Sequence, residues 1–428
     1  MLLIQNGRVV GFGAQEPSRR DIFINKGKIA PLSDMPKVLR DVTVLDAAGC
    51  IVAPGLVDMH VHLRDPGQTD KEDLLSGALA AAAGGVTTVA CMPNTSPVID
   101  TADSVRDIVL RAKKAVVNIL PYAAVTVGQK GTVLSDFAAV KAAGACALSD
   151  DGVPVMNAAV LRRAMLEAIN NGLFISSHCE DADLVKNYAV NDGAVSRRLG
   201  LPGRPAVAES LMAARDVMLA HETGSRLHIA HVSAAETVHI IRQAKALGIS
   251  VTAETCPQYF TLTEEEVLRQ GALARVNPPL RTEKDVEAVI EGLCDGTLDA
   301  IATDHAPHLS AEKARPLPDA PSGMVGLETS LALSLTALCH TGRMSVGTLI
   351  RLMSENPAKI LGLSKGHLDV GSCADLVIFD PDEAWTVDSG RFYSKSRNTP
   401  FNGMSVKGRV KYTLVGGEIV YKETDHVI

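Results

Sequence analysis

The middle of this 428-residue chain repeats one pattern eight times: a short apolar segment followed by a stretch of helical length, such as 71–83, 101–115, 158–171 or 234–247. This alternation predicts parallel strands joined by helices, and eight repeats are typical of a (β/α)8 barrel of roughly 250 residues. A doubly wound open sheet also alternates in this way, but no GxGxxG motif follows the first predicted strand. We therefore predict an α/β fold, a TIM barrel, with strands at residues 56–62, 86–92, 118–126, 146–150, 173–178, 227–231, 250–254 and 298–304.

The two ends of the chain have a different pattern. Residues 1–53 carry short β-type segments separated by turns that contain Gly and Asp, and residues 366–428 return to that pattern. Neither end is long enough to bury a substantial core alone. We expect the two ends to pair into one small β-sandwich beside a barrel that covers residues 54–365.

Composition argues against nucleic acid and membrane surfaces as partners. The formal charge is only −7 at pH 7, and Lys and Arg are not clustered. The first residues lack the features of a signal peptide, and no window reaches the roughly 18 apolar residues of a membrane helix. The eight cysteines are scattered without a CxxC pair, which is typical of buried thiols in a reducing compartment. We expect a soluble, cytoplasmic protein that acts on a small molecule.

Side chains of the types that can bind metal ions, His and Asp, lie at the ends of five predicted strands. In a (β/α)8 barrel the carboxyl ends of the strands meet on the face that carries the active site. His60 and His62 are two residues apart, so on a strand both imidazoles point the same way. Imidazole and carboxylate together suit Zn²⁺, although manganese and cobalt accept the same donors. The candidate ligands are His60, His62, Asp151, His178, His231 and Asp304.

The number of donors suggests two metal ions. A single histidine in an apolar strand is more often a hydrogen-bonded core residue, but here six candidate donors stand at strand ends. Six donors exceed the three or four protein ligands of a mononuclear catalytic zinc site. Asp151 lies between the two histidine pairs in strand order and is the candidate bridge. Asp150 is the alternative, because adjacent strand residues face opposite sides and only one can enter the barrel. For the same reason His228 is expected to face away from His231, and it is given no role.

Two motifs resemble signatures of the dihydroorotases. Residues 60–67 read HVHLRDPG, similar to the HxHLR(D/E)PG signature, and residues 302–308 read ATDHAPH, which contains the TDHAPH run. The likeness extends to MPNT at 92–95, SDDG at 149–152, NPPLR at 277–281 and GLET at 326–329, and it covers essentially the whole chain. On these motifs the chain resembles dihydroorotases of the bacterial class I type in the amidohydrolase superfamily.

The resemblance implies reversible hydrolysis and cyclisation between L-dihydroorotate and N-carbamoyl-L-aspartate, in de novo pyrimidine (UMP) biosynthesis. A hydroxide that bridges two metal ions would attack the amide carbonyl. Asp304 would take the hydroxide proton and deliver it to the leaving ring nitrogen, as the catalytic proton shuttle. The ligand sets implied by the resemblance are His60, His62 and Asp304 for one zinc ion, His178 and His231 for the other, and Asp151 as the bridge.

The resemblance also implies a set of substrate contacts. Arg64 could form a charge-assisted, bidentate pair with the substrate carboxylate. The remaining contacts, taken from the family's matching positions, are His62, Asn94, Asn277, His308, Ser322 and Gly323.

The last two of these residues end a long segment, 309–323, that contains three prolines and interrupts the alternation. We expect it to lack secondary structure and to be either a lid over the active site or a surface excursion. Ser322 departs from the family pattern, in which a bulkier apolar residue is expected.

One departure narrows the choice within the superfamily. Hydantoinases, allantoinases and some dihydroorotases bridge their metals with a carbamylated lysine at the fourth strand end. This chain reads LSDD at 148–151, and the nearest lysine, Lys141, lies upstream in a helical stretch. The alternatives are another cyclic amidohydrolase, hydantoinase-like or allantoinase-like, and an inactive structural partner of aspartate transcarbamoylase, although the six retained donors argue against inactivity. The resemblance also implies a homodimer and association with aspartate transcarbamoylase.

Overall fold

Strands occupy both ends of the chain and alternate with helices between them. The computed structural model describes residues 1–11, 16–36, 39–186 and 188–423. Within these residues the strands are β1 Leu2–Gln5, β2 Arg8–Val9, β3 Ser18–Arg19, β4 Ile22–Asn25, β5 Lys28–Ala30, β6 Thr43–Asp46, β7 Ile51–Pro54, β8 Leu56–Val61, β9 Val86–Cys91, β10 Asn118–Pro121, β11 Ile175–Ser177, β12 Val190–Asn191, β13 Gly203–Arg204, β14 Leu227–Ile229, β15 Val251–Thr255, β16 Ala300–Ile301, β17 Leu376–Thr386, β18 Ser405–Val415 and β19 Glu418–Lys422.

The same residues form α1 Leu74–Ala83, α2 Ala102–Ala112, α3 Phe137–Ala143, α4 Ala158–Asn170, α5 Ala182–Val185, α6 Ala194–Leu199, α7 Val207–Thr223, α8 Ala235–Ala246, α9 Pro257–Thr261, α10 Glu266–Gln270, α11 Glu283–Asp295, α12 Ser310–Lys313, α13 Ser330–Ser334, α14 Val346–Ile350 and α15 Asn356–Leu361. Polar side chains define where these helices begin. Asp73 accepts hydrogen bonds from the backbone N–H groups of Leu75 (2.9 Å) and Ser76 (2.8 Å), which satisfies donors left free in the first turn of α1. In the described part of the chain, no helix is long and apolar enough to cross a membrane.

A closed ring of parallel strands forms the centre of the molecule. β10, β9 and β8 are neighbours in one sheet, and β11, β14, β15 and β16 are neighbours in another. Leu148 joins the two sheets through parallel bridges to Ala123 and Ile175, and Val61 closes the ring through a parallel bridge to His305. The predicted (β/α)8 barrel is therefore confirmed.

Several barrel strands are shorter than predicted. The third ends at Pro121, the eighth is only Ala300–Ile301, and the predicted fourth strand is reduced to bridges at Leu148. The chain leaves the ladder early where it turns toward the barrel mouth, for example at Asp304, whose φ of 49° is incompatible with a strand. The residues after these strands are therefore positioned by turns and not by strand alternation.

Two sheets lie beside the barrel, and strands from both chain ends share one of them. One sheet has the order β5-β4-β1-β6, and the other has the order β19-β18-β17-β7-β2-β3, in which β17 pairs antiparallel with β7. Leu376 and Ile378 of β17 pack with Leu2 and Ile4 in a core between the two sheets. The alternate residues of β17, Val377 and Phe379, belong instead to the core of the barrel. The domain boundaries at 53/54 and 365/366 stay predictions, and residues 424–428 lie outside the described residues.

We predict that Phe379→Ala destabilises the fold by about 3–5 kcal/mol, because Phe379 is fully buried between the sheet and the barrel and its removal leaves a cavity. The measurement is equilibrium unfolding in urea. Ile419→Ala is the control, since Ile419 is 43% exposed on β19 and its truncation is expected to cost less than about 1 kcal/mol. Equal losses for the two variants would contradict this account of the junction.

Candidate active site

Buried imidazoles and carboxylates converge at the carboxyl ends of the barrel strands. Two groups of donors have ligand atoms within 4.8 Å of one another, and they share one residue, Asp151. The first group adds His60 and His62, and the second adds His178 and His231. The structure thus brings together five of the six predicted ligands in two overlapping sets, although their role as ligands stays a prediction.

The Asp151 carboxylate lies at the centre of this cluster. Its Oδ1 is 3.5 Å from His60 Nε2, 3.5 Å from His178 Nδ1 and 3.4 Å from His231 Nε2, and its Oδ2 is 3.6 Å from His62 Nε2. Burial raises the pKa of Asp151, but the imidazoles outweigh burial and hold that pKa well below its usual range. The carboxylate is therefore ionised and central, as a bridge between two cations requires.

The neighbouring Asp150 is occupied elsewhere. Its Oδ1 accepts a hydrogen bond from the backbone N–H of Thr126 at 3.1 Å, and its Oδ2 accepts one from the Thr126 hydroxyl. Between the two aspartates that the sequence left open, this geometry favours Asp151 as the bridge.

The sixth predicted ligand, Asp304, lies against the first histidine pair. Its Oδ1 is 2.9 Å from His62 Nε2 and 3.7 Å from His60 Nε2. Asp58 fixes the preceding residue, because its carboxylate accepts hydrogen bonds from the Thr303 hydroxyl (2.6 Å) and the Thr303 backbone N–H (3.2 Å). The first and eighth strands are thus locked together directly beneath Asp304.

Three residues of the site have backbone angles that side-chain-bearing residues rarely adopt. The φ values are 57° for Arg64, 36° for His231 and 49° for Asp304. Such conformations cost about 1–3 kcal/mol each and persist where the surrounding structure enforces them, which happens most often at functional sites.

The turn at His231 also removes the basis for expecting His228 to face away from His231. Strand alternation does not relate the two residues, because β14 ends at Ile229.

The histidines are oriented by hydrogen bonds from their second ring nitrogens. His60 Nδ1 donates to Glu254 Oε1 at 2.7 Å, His62 Nδ1 donates to Asn94 Oδ1 at 2.9 Å, and His178 Nε2 lies 3.3 Å from Glu180 Oε2. Histidines that bind metals typically donate this second N–H to a carboxylate or carbonyl, which leaves the other nitrogen free as a ligand.

Two buried atoms inside the cluster fit this interpretation. Among the described residues, His60 Nε2 and Asp151 Oδ1 have no hydrogen-bond partner. Buried polar atoms are rarely left unpaired. Unpaired nitrogen and oxygen donors that face one another at 3.5 Å form a donor set suited to a divalent metal ion.

Glu254 and His228 complete a buried chain behind the site that the sequence analysis did not predict. Glu254 Oε2 lies 3.4 Å from His228 Nε2, while Oε1 holds His60. Burial raises the pKa of Glu254, but the two histidines lower that pKa to about 2, so the carboxylate is charged. A signal was present, because Glu254 is the last residue of the seventh predicted strand and was not counted among the strand-end donors.

The residues predicted to bind substrate all line one cavity of about 180 Å³, which Asp151, His178, His231 and Asp304 also line. On one side of it, Arg64 Nε donates to the Pro307 carbonyl at 3.1 Å, and His308 Nε2 donates to the Ser322 carbonyl at 2.8 Å. Burial and the charges of Arg64 and Lys313 lower the pKa of His308 to about 2, so this imidazole is neutral. The binding roles of these residues stay predictions.

The segment 309–323 has more structure than expected. It begins with the short helix α12, and the buried Lys313 amine donates to the carbonyls of Arg275 (3.2 Å), Pro321 (3.0 Å) and Gly323 (2.9 Å). Three carbonyl acceptors satisfy all three donors of the ammonium group. The end of the segment is thereby fixed as a wall of the cavity, since Ser322 and Gly323 both line it.

We predict that Glu254→Gln lowers the affinity of the site for a divalent metal about 10–100-fold, because the substitution removes the charge that orients and polarises His60. The measurement is competition for Zn²⁺ or Co²⁺ against a chromogenic chelator. Glu287→Gln is the control, since Glu287 pairs with Arg343 on the exposed surface. An unchanged affinity in Glu254→Gln would argue against a supporting role for this carboxylate.

Comparisons with known proteins identify the family of this chain. Residues 38–237 match the family model described as dihydro-orotase-like, and residues 323–421 match the amidohydrolase family model. The dihydroorotase of Clostridioides difficile strain 630 is 48% identical over 98% of this chain and 100% of its own length. The dihydroorotase of Pelotomaculum thermopropionicum is 50% identical over 99% of both chains.

Solved structures of related enzymes share the fold. The L-hydantoinase (dihydropyrimidinase) of Arthrobacter aurescens has a TM-score of 0.88 at 28% identity, covering 100% of this chain and 97% of its own. The dihydropyrimidinase of Brevibacillus agri NCHU1002 has a TM-score of 0.85 at 24% identity, covering 98% and 95%, a likeness of fold alone. The identity with the two dihydroorotases over nearly the entire chain shows that it belongs to the dihydroorotase family of amidohydrolases.

Proposed function

We propose that this chain is a metal-dependent dihydroorotase that interconverts L-dihydroorotate and N-carbamoyl-L-aspartate. The observation that carries the proposal is that the histidine–aspartate cluster and the Arg64 guanidinium line the same cavity. The guanidinium can bind a substrate carboxylate there. Family membership supports the same reaction. Hydrolysis opens the ring by breaking its amide C–N bond with one water molecule, and cyclisation is the reverse.

We propose two zinc ions as the resident metals. His60, His62 and Asp304 would hold one ion and His178 and His231 the other, with Asp151 between them. The two overlapping donor groups that share Asp151 support this assignment. When bound, the ions supply Lewis acidity, which polarises the amide carbonyl and lowers the pKa of a water molecule.

Asp304 acts as the proton carrier. Its carboxylate lines the cavity, and the turn at Asp304 places it beside His62 at the end of the eighth strand. In the hydrolytic direction it accepts the proton of the attacking water and then delivers that proton to the ring nitrogen as the C–N bond breaks. In the reverse direction the two proton transfers run in the opposite order.

Arg64 orients the substrate by binding the substrate's carboxylate. A guanidinium presents two parallel N–H donors to a carboxylate, and such charge-assisted pairs are stronger than neutral hydrogen bonds. Asn94, Asn277 and His308 hold the remaining polar groups. Gly323 allows the backbone to pass close to Ala306, because a Cβ at position 323 would lie 2.7 Å from the Ala306 Cβ.

The same contacts distinguish this proposal from the alternatives. A hydantoinase-like or allantoinase-like enzyme acts on a ring without a carboxylate, so it has no use for a guanidinium at the position of Arg64. An inactive partner of aspartate transcarbamoylase has no use for six metal donors. A homodimer, association with aspartate transcarbamoylase and a cytoplasmic location stay predictions.

The direct test is an assay of the purified, zinc-loaded protein with L-dihydroorotate, dihydrouracil and allantoin, following the loss of each ring by absorbance. We expect turnover of dihydroorotate alone, because the other two rings lack a carboxylate for Arg64. Removal of metal with a chelator should abolish turnover, and added Zn²⁺ should restore it. Preferred turnover of dihydrouracil or allantoin would replace the proposal with one of the alternatives.

We further predict that Asp304→Asn lowers kcat about 10²–10⁴-fold, since an amide cannot accept and deliver the proton. The variant should keep its thermal unfolding temperature within a few degrees, measured by differential scanning calorimetry. Asp107→Asn, on the exposed face of α2, is the matched control. A kcat near that of the unmodified protein, with metal bound, would remove Asp304 from the proton-transfer role.

A further inference from the structure

Behind the wall of the cavity, two charged side chains with little exposure, 8% for Arg204 and 13% for Glu180, hold Asn277. Arg204 Nη1 donates to Glu180 Oε1 at 2.7 Å and also to the side-chain oxygen of Asn277. Asn277 Nδ2 donates to the other Glu180 oxygen, Oε2, at 3.1 Å. The three side chains therefore form a closed triangle in which each one contacts the other two.

The triangle joins chain segments that are far apart in the sequence. Glu180 follows β11, two residues after His178, and Arg204 is the last residue of β13. Asn277 lies in the segment before α11 and lines the cavity, whereas neither Glu180 nor Arg204 belongs to the cavity lining. The two charged residues therefore contact Asn277 from outside the lining of the cavity.

Glu180 also contacts the metal side of the site. The same Oε2 that accepts from Asn277 lies 3.3 Å from His178 Nε2, and His178 turns its other ring nitrogen toward Asp151. One carboxylate thus orients both an imidazole of the donor cluster and an amide of the substrate cavity. The Glu180 side chain is only 13% exposed, and a carboxylate with so little access to water is stabilised by a nearby cation.

Arg204 supplies that cation in a fixed position. The residue is 7% exposed, and its Nε donates to the Tyr188 carbonyl, which anchors the guanidinium independently of Glu180. A guanidinium is planar and permanently charged, so one group can serve a carboxylate and an amide oxygen together. A lysine at this position has three N–H donors on one nitrogen but no separate Nε–H for the Tyr188 carbonyl, so its charge is not anchored independently of Glu180 and Asn277.

These contacts leave the amide of Asn277 with one orientation. A rotation of the amide by 180° would turn its NH₂ group toward the guanidinium and its oxygen toward the carboxylate, so that donors meet donors and acceptors meet acceptors. In the observed orientation Asn277 Nδ2 donates one N–H to Glu180 and lies 3.4 Å from His178 Nε2. Because His178 Nε2 uses its own proton toward Glu180, it does not accept from Asn277, and the second N–H of the amide is the donor that remains for a ligand.

We propose that Arg204 and Glu180 are positioning residues that fix the Asn277 amide, so that Asn277 presents an N–H donor to an oxygen of the substrate. This inference rests on the proposed function, because it concerns how dihydroorotate is held. The pair also links substrate orientation to the orientation of His178, since both depend on the same carboxylate.

The test is a double-mutant cycle between Arg204→Met and Asn277→Ala, with kcat and KM measured for L-dihydroorotate and zinc content measured in each protein. We expect Arg204→Met to raise KM about 10-fold while changing kcat less, because the amide loses its fixed orientation and the chemistry does not change. In the Asn277→Ala background the same substitution should change KM less than about 2-fold. Arg204→Lys should fall between Arg204→Met and the unmodified protein.

Arg226→Met is the matched control. Arg226 also donates to a backbone carbonyl, that of Ile360, but it lies at the amino end of β14, away from the cavity. We expect this variant to keep the KM and kcat of the unmodified protein. If Arg204→Met does not fold, Arg204→Gln replaces it in the cycle, because Gln keeps a polar side chain at position 204, removes the charge that pairs with Glu180, and leaves the contact of Glu180 with His178 in place.

An unchanged KM in Arg204→Met, or equal effects of Arg204→Met with and without Asn277, would overturn the inference while leaving the proposed function intact. Absence of dihydroorotate turnover in the unmodified, zinc-loaded protein would overturn the proposed function and the inference with it. A rise in KM in Arg204→Met that disappears in the Asn277→Ala background, at constant zinc content, is the result that supports the positioning role.

Discussion

The site depends on a single buried anion, the carboxylate of Asp151, and on the imidazoles that surround it. An isolated carboxylate inside a protein is strongly disfavoured, so the charge must be balanced by its neighbours. Histidines from the first, fifth and sixth strands of the barrel provide that balance at distances of 3.4–3.6 Å. Because these strands are distant in the sequence, the carboxylate can be accommodated only when the whole barrel is closed.

A second layer of acceptors turns this cluster into a defined geometry. Glu254, Asn94 and Glu180 each take the outward nitrogen of one histidine, so that the inward nitrogens face Asp151. Two of these acceptors serve the cavity as well: Asn94 lines it directly, and Glu180 reaches it through Asn277. The donors for metal and the contacts for substrate are therefore parts of one hydrogen-bonded unit.

The sequence predicted those parts of the site that depend on local geometry or on a motif. The spacing of His60 and His62 implied a shared face, and the structure brings both imidazoles to the same carboxylate. The choice between Asp150 and Asp151 stayed open because the alternation rule applies only within a strand, and the fourth strand is reduced to Leu148. No local pattern pointed to Arg204, since its role follows from the packing of three segments that lie between residues 180 and 277.

The pairing of β17 with β7 imposes an order on the assembly of the chain. The sheet β5-β4-β1-β6 uses only the first residues, and its apolar face, with Leu2 and Ile4, is covered partly by Val9 and Val52 and partly by Leu376 and Ile378. During synthesis, part of this face stays uncovered until more than three hundred further residues, including the entire barrel, have left the ribosome. Closing so long a loop is slow, and an uncovered apolar sheet is prone to associate with other chains. Nascent chains of this protein therefore have a built-in need for protection at their amino ends until the carboxyl end arrives.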